Sequence, residues 1–68
     1  MQIQLNGEPY ELPEGHPPTL RQLVEARGLT GRRLAIEVNE QLIPRSEHAG
    51  HVLAPGDRVE IVQAIGGG

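Results

Sequence analysis

The sequence predicts an α+β domain in which a four-stranded mixed sheet packs on one main helix. Three observations carry that reading. Apolar residues alternate with period two in four separate segments, one helical stripe lies between the second and third of them, and glycine- or proline-containing turns separate the rest.

Met1, Ile3 and Leu5 alternate with Gln2 and Gln4, so residues 1–6 form a first strand with one buried face. Asn6-Gly7 follows, a pair that tolerates positive φ at both central positions of a type I′ turn, and it directs Tyr10 and Leu12 back along an antiparallel second strand. Pro13, Gly15, Pro17 and Pro18 can sustain neither a ladder nor a helix and form a loop up to Thr19, whose hydroxyl can cap the helix that begins at Leu20. Leu20, Leu23 and Val24 fall on one stripe, with Arg21, Gln22 and Glu25 facing water. Gly28 ends the helix in a left-handed turn, and Leu29 folds back over its last turn.

Arg33 to Asn39 forms the third strand, with Leu34, Ile36 and Val38 on one face and Ala35 and Glu37 on the other. Pro44, Ser46, Gly50 and Pro55 then break an irregular stretch in which Leu42, Ile43, Val52 and Leu53 are expected to turn inward. Pro55-Gly56-Asp57 turns the chain into a last strand from Arg58 to about Ala64, with Val59 and Ile61 on its buried face. The opposite face carries Glu60, Val62 and Ala64. Together with Ile65, the apolar Val62 and Ala64 are the candidate partner-binding residues.

Hairpin and helix make two layers, and the last strand must join the same sheet because nothing else buries Val59 and Ile61. This is the β-grasp arrangement, with the first and last strands side by side and parallel at its centre. Residues 1–65 form one domain, and Gly66, Gly67 and Gly68 form a flexible tail that projects from it.

Composition narrows the function. A chain of 68 residues buries only about 60% of the surface its unfolded form exposes, which makes for modest stability. With no cysteine it has neither a disulfide framework nor a thiolate for catalysis or metal binding, which suits a reducing cytoplasm. No apolar run reaches the length of a membrane span, and the start MQIQLNG lacks the features of a signal peptide, so a soluble cytoplasmic protein without membrane partners is expected. A net charge of −3, scattered arginines and a single aromatic, Tyr10, argue against nucleic-acid binding.

The stretches IEVNEQLIPRSE and LAPGDRVEIVQAIGGG resemble the ThiS family of sulfur carriers in thiamine biosynthesis, which have a ubiquitin-like β-grasp fold. The resemblance extends over essentially the whole chain. Its most specific parts are Val38-Asn39, Pro44-Arg45, the run from Gly56 to Ile61, and Gly67-Gly68; Gly66 is one glycine more than the family's terminal pair. It implies a protein co-substrate, not an enzyme. The Gly68 carboxylate would be adenylated with ATP by a ThiF-like adenylyltransferase and converted to a thiocarboxylate, with a sulfur donor such as a cysteine desulfurase. It would then deliver sulfur to a ThiG-like thiazole synthase. ATP is consumed by the partner, so this chain is expected to hold no cofactor and no metal. Two alternatives remain at this point: a carrier like the molybdopterin-synthase small subunit, and a non-catalytic ubiquitin-like interaction module. The absence of lysine, which precludes self-made isopeptide chains, tilts against a protein modifier.

Elementary chemistry supports a reactive tail. An α-carboxylate with a pKa near about 3.5 is ionised at neutral pH and needs no base to act as a nucleophile. Three extended residues carry it about 10 Å beyond the folded body, and glycine, lacking Cβ, can thread a narrow slot. Ordering such a tail costs on the order of 1–2 kcal/mol per residue, so the folded face must supply much of the docking affinity.

Other constellations point to structure more than chemistry. His48 and His51 sit in the irregular stretch without a third ligand nearby and read as solvated loop residues. Glu37, Glu40, Glu47 and Glu60 read as a wet acidic face, Arg45 and Arg58 as partners in exposed ion pairs, and Asn39 as a turn former.

Overall fold

The computed structural model describes residues 1–63. The elements are β1 (Gln2–Leu5), β2 (Glu8–Glu11), α1 (Leu20–Ala26), β3 (Leu34–Val38), β4 (Gln41–Ile43), a 3₁₀ turn (Arg45–Glu47) and β5 (Arg58–Gln63). The strands form one sheet in the order β2-β1-β5-β3-β4. The last strand therefore lies at the centre, parallel to β1 through Gln4↔Arg58 and Leu5↔Val59, and antiparallel to β3 from Leu34↔Gln63 to Val38↔Val59.

The first hairpin turns on Asn6 and Gly7, with φ of 51° and 83°, as the type I′ pattern requires. Its outer strand carries Pro9, which has no N–H to give to a ladder and is tolerated at the sheet edge. The N-terminal amino group pins the start of β1. It donates to the Leu12 carbonyl and to Glu14 Oε1, both at 2.9 Å, and the Glu14 hydrogen bond, reinforced by the charges of Glu14 and Glu11, raises its pKa above the ordinary 8.0.

At only seven residues, α1 is too short to be stable alone and depends on its caps and packing. The Thr19 hydroxyl accepts from the Gln22 amide at 3.2 Å while Gln22 Oε1 accepts from the Thr19 amide at 2.9 Å, forming a reciprocal capping box. The next two amide donors are satisfied by the returning chain: Leu20 N–H reaches the His51 carbonyl at 2.9 Å and Arg21 N–H the His48 carbonyl at 3.1 Å. At the other end Gly28, with φ of 71°, donates to the Glu25 carbonyl and Leu29 to that of Val24, the two bonds of a Schellman motif.

The core beneath the helix is apolar throughout: Ile3, Leu5, Leu12, Leu20, Leu23, Ile36, Val38, Leu53 and Val59 are buried. Met1 and Ile61, expected in this core, are partly buried and pack against its margin.

The stretch after β3 differs from its expected course. A fifth strand, β4, pairs with β3 because Asn39 and Glu40 both take positive φ, 51° and 68°, and close a tight hairpin. That register sets Leu42 opposite Glu37 on the outer face and Ile43 opposite Ile36 on the inner one, so Leu42 does not turn inward and is 65% exposed. Val52 departs in the same way: it bridges Thr19 and remains exposed, while its neighbour Leu53 is buried and donates to the Pro18 carbonyl. Consecutive residues of an extended segment point to opposite sides, so one member of each pair turns toward the core: Leu53 is buried and Ile43 partly buried.

Because Leu23 is 1% exposed at the centre of the helix–sheet contact, Leu23→Ala should destabilise the protein by about 2–5 kcal/mol, a large share of what so small a domain has. Thermal unfolding followed by circular dichroism measures this. An unchanged midpoint would mean that α1 does not hold the core.

Candidate functional site

β5 is held at its start and near its middle by asparagine side chains. Asn6 donates its backbone N–H to the Val59 carbonyl, and its Oδ1 accepts the Ile61 N–H, both at 2.8 Å, so the side chain continues the parallel ladder where the β1 backbone turns away. Asn39 holds the start of β5: its Oδ1 accepts the Arg58 N–H at 2.9 Å and its Nδ2 donates to Asp57 Oδ1 at 3.1 Å. Asp57 Oδ2 in turn accepts the Ala54 N–H at 2.8 Å, closing the turn that launches the strand. Asn39 is thus a turn former, as its sequence context indicates, and also a clamp between two strands.

The last described pair of the central ladder is Leu34↔Gln63. Ala64, Ile65, Gly66, Gly67 and Gly68, the remaining candidate site residues, lie outside the described residues. Val62, one pair earlier, is opposite Ala35 and 60% exposed on the outer face of the sheet. Glu60 and Glu37 form the next cross-strand pair outward of the core, and Leu42 continues the row beyond Glu37. Two carboxylates directly opposite each other repel, and here both are exposed, where water moderates the cost. The face therefore combines Val62, Ala35 and Leu42 with an acidic pair.

The sequence pattern places Leu42 inward, and it is the residue of this face that sequence reasoning misses. The signal for it is the Asn39-Glu40 turn, which fixes the hairpin register. Among the histidines, His48 Nε2 donates to the Ile43 carbonyl at 2.9 Å, a bond that holds the 3₁₀ turn. Among the described residues, no three His, Cys, Asp or Glu side chains gather as a metal site would require. Arg58 lies 3.8 Å from Glu40 in an exposed pair, worth under about 1 kcal/mol. Arg45 has no such partner among the described residues.

A five-stranded sheet of this order on one helix, ending in a clamped central strand with an exposed outer face, defines a ubiquitin-like β-grasp domain. The chain belongs to the ThiS family, whose pattern it matches over residues 3–68. It is 31% identical to the sulfur carrier protein ThiS of Escherichia coli strain K12 across the full length of both chains. It is also 37% identical over 68 residues to a thiazole synthase of Magnetococcus marinus, and there the whole of this chain spans 20% of the relative's length. The crystal structure of the thiamine biosynthesis protein ThiS from Geobacter metallireducens superposes with a TM-score of 0.84 over all of both chains at 23% identity, a likeness of fold.

If the outer face docks a partner, Val62→Glu should weaken that complex at least about tenfold and leave the thermal midpoint unchanged, because the side chain is exposed. Binding of the variant to that partner, measured by titration calorimetry, is the readout. Full affinity would move docking to another surface.

Proposed function

We propose that this protein is a cytoplasmic sulfur carrier in thiamine biosynthesis, a consumable protein co-substrate whose terminal carboxylate is the reacting group. The observation that carries the proposal is full-length similarity to the Escherichia coli sulfur carrier, running through the glycine-rich end. The similarity to one fifth of a thiazole synthase supports the choice of sulfur acceptor, since a carrier-like segment there shares one chain with a synthase region.

In this reading the ionised Gly68 carboxylate attacks the α-phosphorus of ATP on a ThiF-like enzyme. A carboxylate-to-phosphorus bond forms and pyrophosphate leaves. Sulfur held as a persulfide on a donor such as a cysteine desulfurase then displaces AMP at the acyl carbon, and a thiol reductant cleaves the acyl disulfide so formed, being itself oxidised to a disulfide. The resulting thiocarboxylate passes its sulfur to a ThiG-like thiazole synthase. This chain supplies no catalytic side chain. Its contribution is to hold β5 in the sheet, between β1 and β3 at its start and against β3 as far as Gln63, while the glycines offer a backbone free of Cβ atoms to the enzyme's slot. The outer sheet face, with Val62 and Leu42, offers docking area to offset the entropy of ordering the tail.

ATP–pyrophosphate exchange on a ThiF-like enzyme tests the role of the carboxylate. Adding one alanine after Gly68, or deleting Gly68, should abolish exchange without altering the fold, since displacing a reacting atom by about 1 Å can already cost 10²-fold. Gly67→Ala should slow it more gently by placing a Cβ in the slot. Exchange by the extended chain at the wild-type rate would contradict the proposal.

A further inference from the structure

The helix side of the molecule carries a groove whose chemistry is opposite to that of the acidic sheet face. It has a volume of about 390 Å³ and lies between α1, the turn after it, the start of β3 and the 3₁₀ turn. Val24, Leu29 and Leu34 give it an apolar floor, and Arg21, Arg32 and Arg45 line it with three of the six arginines in a chain of net charge −3. Composition does not account for that concentration.

Of the three arginines elsewhere, Arg27 stacks over Tyr10 at 5.6 Å and Arg58 pairs with Glu40, while Arg33 lies outside the groove without a carboxylate partner among the described residues. Within the groove, Arg21 Nε is 3.5 Å from Glu25, whereas Arg32 and Arg45 have no carboxylate partner among the described residues. Three guanidinium groups less one carboxylate leave a formal charge of +2. The backbone that presents them is fixed: Arg32 N–H donates to the Leu29 carbonyl at 3.2 Å, and Arg45 opens a 3₁₀ turn tied to α1 by the bond from Arg21 N–H to His48. The hydroxyls of Thr30 and Ser46 also line the space and can donate to an anion.

We propose that this groove binds a small organic dianion, a phosphate monoester with a compact apolar body. The volume falls within the range of small-molecule sites, about 300–1,000 Å³. Guanidinium groups match phosphate oxygens in geometry as well as charge, two excess positive charges balance a monoester dianion, and the apolar floor takes the organic part. Leu34, on the inner face of β3, is the register partner of Gln63, so the groove lies at the end of the sheet where β5 runs out and on the opposite side from Val62. Occupancy of the groove leaves the outer face free. This assignment goes beyond the carrier role and does not depend on it, because the test needs only this chain.

Phenyl phosphate is the probe, followed by ¹⁵N–¹H spectra of the full chain, with inorganic phosphate and phenol in parallel. Phenyl phosphate should shift the amides of Arg32, Arg45 and Ser46 saturably, inorganic phosphate should do so more weakly, and phenol alone should not. Arg32→Gln with Arg45→Gln should weaken binding at least about tenfold, with an unchanged thermal midpoint. Arg27→Gln with Arg58→Gln, which removes the same charge elsewhere, should change it by less than about twofold. Absence of a saturable shift, or equal weakening in the two double variants, overturns the assignment. Loss of affinity for a protein partner in the Arg32/Arg45 variant, without any binding of phenyl phosphate, reassigns the groove to a protein and overturns it too.

Discussion

The structure depends on the last strand occupying the middle of the sheet. β5 pairs with β1 over its first two residues and with β3 from Val59 to Gln63, and it buries Val59 to 1% exposure beneath α1. A parallel neighbour for β1 can be reached only by a crossover, and the helix with the returning chain supplies it. That return is itself held by the helix: the carbonyls of His48 and His51 complete the capping of α1, and Leu53 plugs the core beside Pro18. Helix, crossing segment and central strand therefore stabilise one another, and none has an independent reason to fold. Asn39 and Asn6 tie the start and the middle of β5 into this frame with side-chain oxygens that accept the Arg58 and Ile61 amides.

A central strand that leads directly to the C-terminal segment makes presentation of that segment a property of the whole core. The first half of β5 lies between β1 and β3, and from Ile61 to Gln63 it pairs with β3 alone. The same strand divides the surface into two faces of opposite character. On the outer side Val62 and Leu42 lie around the Glu37–Glu60 pair, and on the helix side three arginines surround an apolar groove. Alternation along β3 and β5 produces this separation, since each step of one residue changes the side of the sheet.

Much of this was legible in the sequence because the decisive signals are local. Asn6-Gly7 has few conformations other than the observed turn, Thr19 and Gln22 stand at the spacing of a capping box, and Gly28-Leu29 carries its own stop signal. The alternation of Ile36 and Val38 and the burial of Val59 follow from period two alone. What sequence did not disclose depends on register or on distant contacts. Glu40 at φ of 68° is an uncommon hairpin residue, so the sequence carries no clear signal for β4, and without that strand nothing decides which of Leu42 and Ile43 faces inward. Arg21, Arg32 and Arg45 come from the helix, a turn and the 3₁₀ segment, and only the folded topology brings them to one groove. The proposal of a reactive end rests on family resemblance and the chemistry of a terminal carboxylate, not on any side-chain constellation.

The central claim is that the folded domain exists to present a carboxylate that is exchanged for a thiocarboxylate. The most direct measurement is the intact mass of the protein isolated from cells starved of thiamine, followed by fragmentation to locate any change. The account predicts a population in which one oxygen is replaced by one sulfur, confined to the C-terminal residue Gly68. An unmodified mass under starvation, or sulfur located anywhere other than Gly68, would contradict it.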